Sequence, residues 1–183
     1  MRLSETLYYA RKLMIGTALG RVQTLARPMD FSSNFELKMK CKTFSEGNQL
    51  LSEVLYFLNE IGLNTFASCK GHINKGGYIA FFLNEANKEF VSKMCGYLLD
   101  NAAIRLQISP YHYSVDGISV CIYFPVKERN NVLRSMLTPA LYDTSSTNKI
   151  VDEMITLSEL QNSIHSDMTY SLCLEKEDGA YNV

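Results

Sequence analysis

Tyr111-His112-Tyr113-Ser114-Val115-Asp116-Gly117-Ile118-Ser119-Val120-Cys121-Ile122 alternates on both sides of an Asp-Gly dipeptide. That pattern marks a β-hairpin with a two-residue turn. It predicts Val115 opposite Ile118, Tyr113 opposite Val120 and Tyr111 opposite Ile122 on one face. His112 then faces Cys121, and Ser114 faces Ser119, on the other. Just upstream, Ile104, Leu106 and Ile108 alternate with Arg105 and Gln107. Their parity is wrong for the inner face of this hairpin, which predicts a bulge near Ser109-Pro110.

Working outward, Thr65 to Cys69 reads as a short strand and Tyr78 to Leu83 as a nearly continuous apolar one. Asn84 opens a helix whose inward face is Phe90, Val91, Met94, Cys95, Leu98 and Leu99. Phe35 to Phe44 alternates, with Phe35, Leu37, Met39 and Cys41 on one side and Glu36, Lys38, Lys40 and Lys42 on the other. This predicts a half-buried strand with a lysine row on its open face. Thr43 and Glu46 have the spacing of a capping box for a helix carrying Leu50, Leu51, Val54, Leu55, Leu58 and Ile61, stopped at Gly62. Pro125 starts another helix, with Val132, Leu133, Met136 and Leu137, which Pro139 limits. Tyr142 to Asn148 reads as a polar linker, Ile150 to Leu157 as a short helix, and Met168 to Leu174 as a last strand or ordered tail.

The expected fold is therefore α+β. A largely antiparallel sheet carries helices on one face around a ferredoxin-like split βαβ core. The expected organisation is a basic amphipathic helix over 1–28, a core over 35–141, and a helix and tail over 142–183 packed on or trailing the core. The N-terminal segment holds Arg2, Arg11, Lys12, Arg21 and Arg27 against Glu5, so +4 sits there and −5 on the remainder. Such a helix could dock or target the chain.

With 183 residues, 46% of them hydrophobic, the chain can bury a core. A net charge of −1 argues against a general polyanion binder. Five widely spaced cysteines, three within apolar patterns, suit free thiols and a reducing, cytoplasmic compartment. No apolar run is long enough for a membrane span.

Two regions carry candidate chemistry. Ser68-Cys69-Lys70-Gly71-His72 places a thiol and an imidazole at a strand end, leading into a glycine loop flanked by Lys70 and Lys75. They could be a nucleophile and base, or two metal ligands. They could equally be a packed thiol and a turn-capping histidine. No second ligand pair accompanies them, and no carboxylate stands placed to orient His72, so no metal or cofactor is assigned. His112 beside Cys121 is a further candidate, and His165 reads as a surface residue of the tail. The second region is the open sheet face, where Lys38, Lys40, Lys42 and Arg105 would share space with Tyr78 and Phe82. Cations beside aromatic rings suit single-stranded nucleic acid, while lysines on a strand also guard a sheet edge.

Lys75-Gly76-Gly77-Tyr78-Ile79-Ala80-Phe81-Phe82 resembles in part the glycine-aromatic strand of the RNA-recognition motif, without that family's aromatic on its first strand. Ser68-Cys69-Lys70-Gly71-His72, followed by Gly77 to Phe81, resembles small uncharacterised bacterial and phage proteins in which Ser-Cys-x-Gly-His precedes a strand. It is more distantly similar to the Ser-Cys-Ser-Gly-Arg stretch of the tRNA wybutosine-synthesis methyltransferase-like family, with His72 in place of the arginine. The resemblance implies a ligand-facing loop over about twenty residues and carries no activity with it.

Two functional expectations follow. One is a non-enzymatic binding or accessory module. It would recognise an anionic ligand, a nucleic acid, a nucleotide or a protein through Lys38, Lys40, Lys42, Lys70, Lys75, Gly76, Gly77, Tyr78 and Arg105. The other is a small enzyme, either a thiol nucleophile or a metal-dependent hydrolase, using Cys69 and His72 with Ser68 or His112. The spatial neighbours of Cys69 and His72 decide between them: carboxylates or a second imidazole within contact range favour the enzyme.

Overall fold

The computed structural model describes residues 34–110, 117–143, 145–164, 172–177 and 180–182. The expected helix over 1–28, the Asp116 turn residue, Tyr111, His112, Tyr113 and His165 lie outside them. In chain order the elements are α1 (Asn34–Phe44), α2 (Gln49–Glu60), β1 (Thr65–Cys69), β2 (Gly77–Leu83), α3 (Lys88–Asn101), β3 (Arg105–Pro110), β4 (Ile118–Phe124), α4 (Arg129–Met136), α5 (Ser145–Ile164), β5 (Leu172–Glu177) and β6 (Ala180–Asn182). Single 3₁₀ turns over Val126–Glu128 and Pro139–Leu141 flank α4.

The fold is α+β, as expected. Six strands form one antiparallel sheet in the order β1-β2-β4-β3-β5-β6. β2 and β3 run parallel with β4 between them, and α3 makes the crossover. This is the split βαβ of the ferredoxin-like arrangement. The C-terminal extension belongs to this architecture, because β5 pairs along β3 and α5 packs on α3.

The helices meet one face of the sheet. Ile79, Phe81, Leu106, Ile108, Val120 and Ile122 join Leu51, Val54, Leu55, Leu58, Met94 and Leu98 in the main core. The opposite face holds a second, smaller cluster of Phe66, Ala67, Ala80 and Cys121, edged by Tyr78, Phe82 and Tyr123. Period-2 alternation along β2 and β4 makes this division. A bulge between Thr65 and Ala67 turns both Phe66 and Ala67 to the second face.

Four expectations are corrected, the last of them at the α1–α2 connection. Phe35 to Phe44 is helix, not strand. Its buried residues Leu37 and Cys41, with half-buried Phe44, recur at helical spacing and pack on the main core, whereas Met39 is half exposed. Lys38, Lys40 and Lys42 are therefore on a helix and form no row on the sheet. The hairpin register also differs. Val120 pairs with Ile108, Ile122 with Leu106, Cys121 with Gln107 and Ser119 with Ser109. The ladder runs unbroken to Pro110–Ile118, with no bulge at Ser109-Pro110, and the turn expected at Asp116 lies outside the described residues. Direct pairing places Leu106 and Ile108 on the core side beside Val120 and Ile122, which satisfies their parity. In addition, α5 begins at Ser145 and runs 20 residues, taking up the second half of the linker expected over 142–148.

The α1–α2 connection is not a capping box. Thr43 Oγ1 donates to Met39 O at 3.0 Å, and the N-cap of α2 is Asn48, whose Oδ1 accepts from Leu51 N at 2.8 Å. Between them Glu46 and Gly47 both take positive φ, 52° and 78°. Glycine adopts this conformation freely; glutamate does so at a cost.

Candidate metal centre

β1 ends at Cys69, and the chain then folds into a small hairpin. His72 N donates to Lys75 O at 2.9 Å and Lys75 N donates to His72 O at 2.8 Å, leaving Ile73 and Asn74 at the tip. The three glycines of this loop pack closely against neighbouring atoms. A Cβ on Gly71 would lie 2.9 Å from Gly77 N, and one on Gly76 would lie 2.6 Å from Phe124 O. One on Gly77 would meet the Phe124 ring at 2.3 Å. Gly71 also has φ 85°. These positions fix the hairpin against the end of β4.

The left-handed turn at Glu46 carries its side chain to the same place. Cys69 Sγ donates to Glu46 Oε2 at 3.8 Å, and His72 Nε2 lies 3.8 Å from the same oxygen. One donor atom from each of Glu46, Cys69 and His72 lies within 4.8 Å of the others. Side-chain bonds to backbone carbonyls hold the turn: Lys70 Nζ donates to Glu46 O at 2.9 Å, and Ser68 Oγ donates to Phe44 O at 3.1 Å. Ser68 is thus buried as a tie between β1 and the end of α1. Lys70 N approaches Glu46 Oε2 at 3.4 Å, and Gly71 N donates to Cys69 Sγ at 3.4 Å.

This arrangement suits a metal ion. Tetrahedral zinc with bonds of about 2.0–2.3 Å sets its ligand atoms roughly 3.3–3.7 Å apart, and the two 3.8 Å separations at Glu46 Oε2 lie close to that spacing. The donors are one thiol at the end of β1, one imidazole in the hairpin after it and one carboxylate in the α1–α2 turn. Burial pushes the Cys69 thiol up, and the Glu46 carboxylate beside it adds to the effect. Both influences disfavour the free thiolate that nucleophilic catalysis needs, whereas a bound cation reverses them. The missing partner in the sequence reading was the carboxylate. Glu46 supplies it from a sequence separation of 23 residues to Cys69, and its positive φ beside Gly47 is the local mark of a constrained side chain.

The other candidates are elsewhere. Cys69, Tyr78, Tyr123, Arg105 and Glu175 form one row across the open face by register. Arg105 stacks on Tyr123, 4.4 Å from the ring centroid, above a shallow cleft of about 530 Å³. Tyr78 and Phe82 share this face, as expected. Lys38 instead covers the Tyr56 ring and Lys40 pairs with Glu36. Cys121 is buried between Ala80 and Gln107. All five cysteines are free thiols. No described helix is long and apolar enough to cross a membrane. Comparison of the chain with protein-family models, curated proteins and solved structures yields no match.

Proposed function

We propose that this chain binds a divalent transition-metal ion of the zinc class through Glu46, Cys69 and His72, and uses it as the Lewis acid of a small metal-dependent hydrolase. The observation that supports this is the convergence of three different donors, with Glu46 Oε2 at 3.8 Å from both Cys69 Sγ and His72 Nε2. Three protein ligands leave a tetrahedral ion one position for water or substrate, the pattern of catalytic rather than closed structural sites. His72 is half exposed, so that position opens to solvent. A bound ion would lower the pKa of a coordinated water toward neutrality and polarise a carbonyl or phosphoryl oxygen.

Zinc titration by calorimetry and Co²⁺ substitution test the reading. Stoichiometric binding is expected, with a thiolate-to-cobalt charge-transfer band that Cys69→Ser removes. Turnover of activated esters should depend on the metal and disappear on chelation. Failure to bind zinc or cobalt sinks the proposal. Tight binding without any metal-dependent turnover reduces the site to a structural one in a binding module.

A further inference from the structure

We infer that the groove between the 70–77 hairpin and the start of α4 is the oxyanion subsite of this centre, and that it takes a phosphate group through Arg129 and Lys75. The inference rests on the metal reading for its catalytic purpose, since the groove adjoins His72. Its binding chemistry stands on separate residues.

The groove encloses about 580 Å³ and is lined by His72, Ile73, Lys75, Val126 and Arg129 among others. Two of its lining side chains are cations and none is a carboxylate. Among the described residues the Arg129 side chain makes one hydrogen bond, Nη1 to Lys70 O at the long distance of 3.4 Å. Its Nε is buried and has no partner among the described residues. A buried N–H on a charged group costs more when unpaired than a neutral one does, so native structures rarely leave it so without a use. A small turn of the side chain would bring it to an oxyanion in the groove.

The guanidinium fork matches two oxygens of one phosphate, and Lys75 adds a second, mobile charge from the hairpin. A phosphate has oxygens enough to meet both cations and still present one toward His72 and the metal. A carboxylate has only two, in one plane. Ile73, 96% exposed at the hairpin tip, and Val126 offer apolar contact for the organic part of such a substrate. Arg129 also contacts the carbonyl of Lys70, the residue after Cys69, so substrate and metal ligands would be held by one segment. The competing account makes Arg129 a structural tie between α4 and the loop.

Titration of the full chain with inorganic phosphate, zinc-loaded and zinc-free, followed by calorimetry and ³¹P NMR, separates these accounts. Saturable binding is expected. Arg129→Gln should weaken it by about tenfold or more, the scale of a lost charge-assisted pair. Lys75→Ala should weaken it severalfold, and zinc affinity should stay within about twofold in both variants. Acetate should bind more weakly than phosphate. Lys75 is exposed, so its variant keeps the test alive should Arg129→Gln fail to fold. Phosphate affinity unchanged in the folded variants, no saturable phosphate binding in either zinc state, or acetate binding as tightly as phosphate each overturns the inference. Arg129-dependent phosphate binding in a protein that refuses zinc upholds the subsite and rejects the metal reading alone.

Discussion

The Glu46 carboxylate reaches within 3.8 Å of His72 Nε2 from a backbone held at φ 52°. The two residues come from the α1–α2 turn and the hairpin after β1, and Lys70 Nζ on Glu46 O fastens one to the other. A left-handed glutamate is disfavoured by about 1–2 kcal/mol relative to the right-handed region. The turn keeps it nonetheless, and the side chain it presents is the third donor of the cluster.

Replacing Glu46 with Asn should therefore separate stability from function. Asparagine tolerates positive φ, so the metal-free variant should gain about 1 kcal/mol, or roughly 2–4 °C in melting temperature for a chain of this size. Zinc affinity should fall at least about tenfold with the loss of an ionised ligand. A metal-free melt that drops instead of rising would show that the carboxylate serves the fold.

Much of this architecture was legible. The apolar patterns of α2, β2, α3 and β4 are clear because each element buries one regular face in the main core. Residues 34–44 were misread because Leu37, Met39 and Cys41 satisfy period 2 while Leu37, Cys41 and Phe44 satisfy period 3.6. The intervening Glu36, Lys38, Lys40 and Lys42 are good helix formers, and β-branched residues are nearly absent, which favours helix. The register of β3 on β4 also had a signal. Leu106 and Ile108 needed a bulge to fit an Asp-Gly turn, and pairing them directly with Ile122 and Val120 removes that need. Glu46 could not be found by spacing, since its approach to Cys69 depends on how the α1–α2 turn meets the sheet edge. Only Ser45-Glu46-Gly47-Asn48, rich in turn formers, hinted at a turn rather than a helix start.

Gly77→Ala tests whether the loop glycines serve packing. Its Cβ would lie 2.3 Å from Phe124 Cε2 and 2.7 Å from Cys69 O, and Phe124 is buried. Cys69 O cannot yield without disturbing the β1–β2 ladder, nor the buried Phe124 ring without disturbing the end of β4. A loss of about 1–3 kcal/mol in urea unfolding is expected, as for other overpacked sites. A neutral outcome would return Gly77 to the ligand-facing role expected from sequence.

Buried thiols should make the metal-free protein sensitive to alkali. Burial pushes Cys41 and Cys121 up to about 12, and raises Cys95 as well, from an ordinary value near 9.0. Above that value the unfolded chain releases protons that the folded one retains, so stability is complete below about 9 and declines as pH climbs toward about 12. Burial of Tyr78, Tyr123 and Tyr142 acts in the same direction at the upper end. Melting temperatures should fall steadily between about pH 8 and 11, with a shallower slope in Cys95→Ala, whose thiol no longer contributes to the proton balance. A flat profile would mean that the native thiols ionise as freely as unfolded ones.

His72→Ala distinguishes a ligand from a turn anchor. The hairpin is held by the backbone of residue 72, through His72 N to Lys75 O and Lys75 N to His72 O, and alanine keeps both bonds. The imidazole itself is half exposed, and its 3.8 Å approach to Glu46 is too long for a hydrogen bond. The metal-free variant should accordingly melt within about 0.5 kcal/mol of the parent. The difference should emerge with zinc. At a free concentration near a hundred times its dissociation constant, an ion that binds only the folded state stabilises it by about 2.7 kcal/mol. That corresponds to a rise of roughly 5–10 °C for a chain of this length. His72→Ala should lose most of that rise, and Cys69→Ser should do the same, whereas Lys75→Ala should keep it. Should His72→Ala destabilise the metal-free protein and leave the zinc response intact, the imidazole anchors the turn and the metal has other ligands.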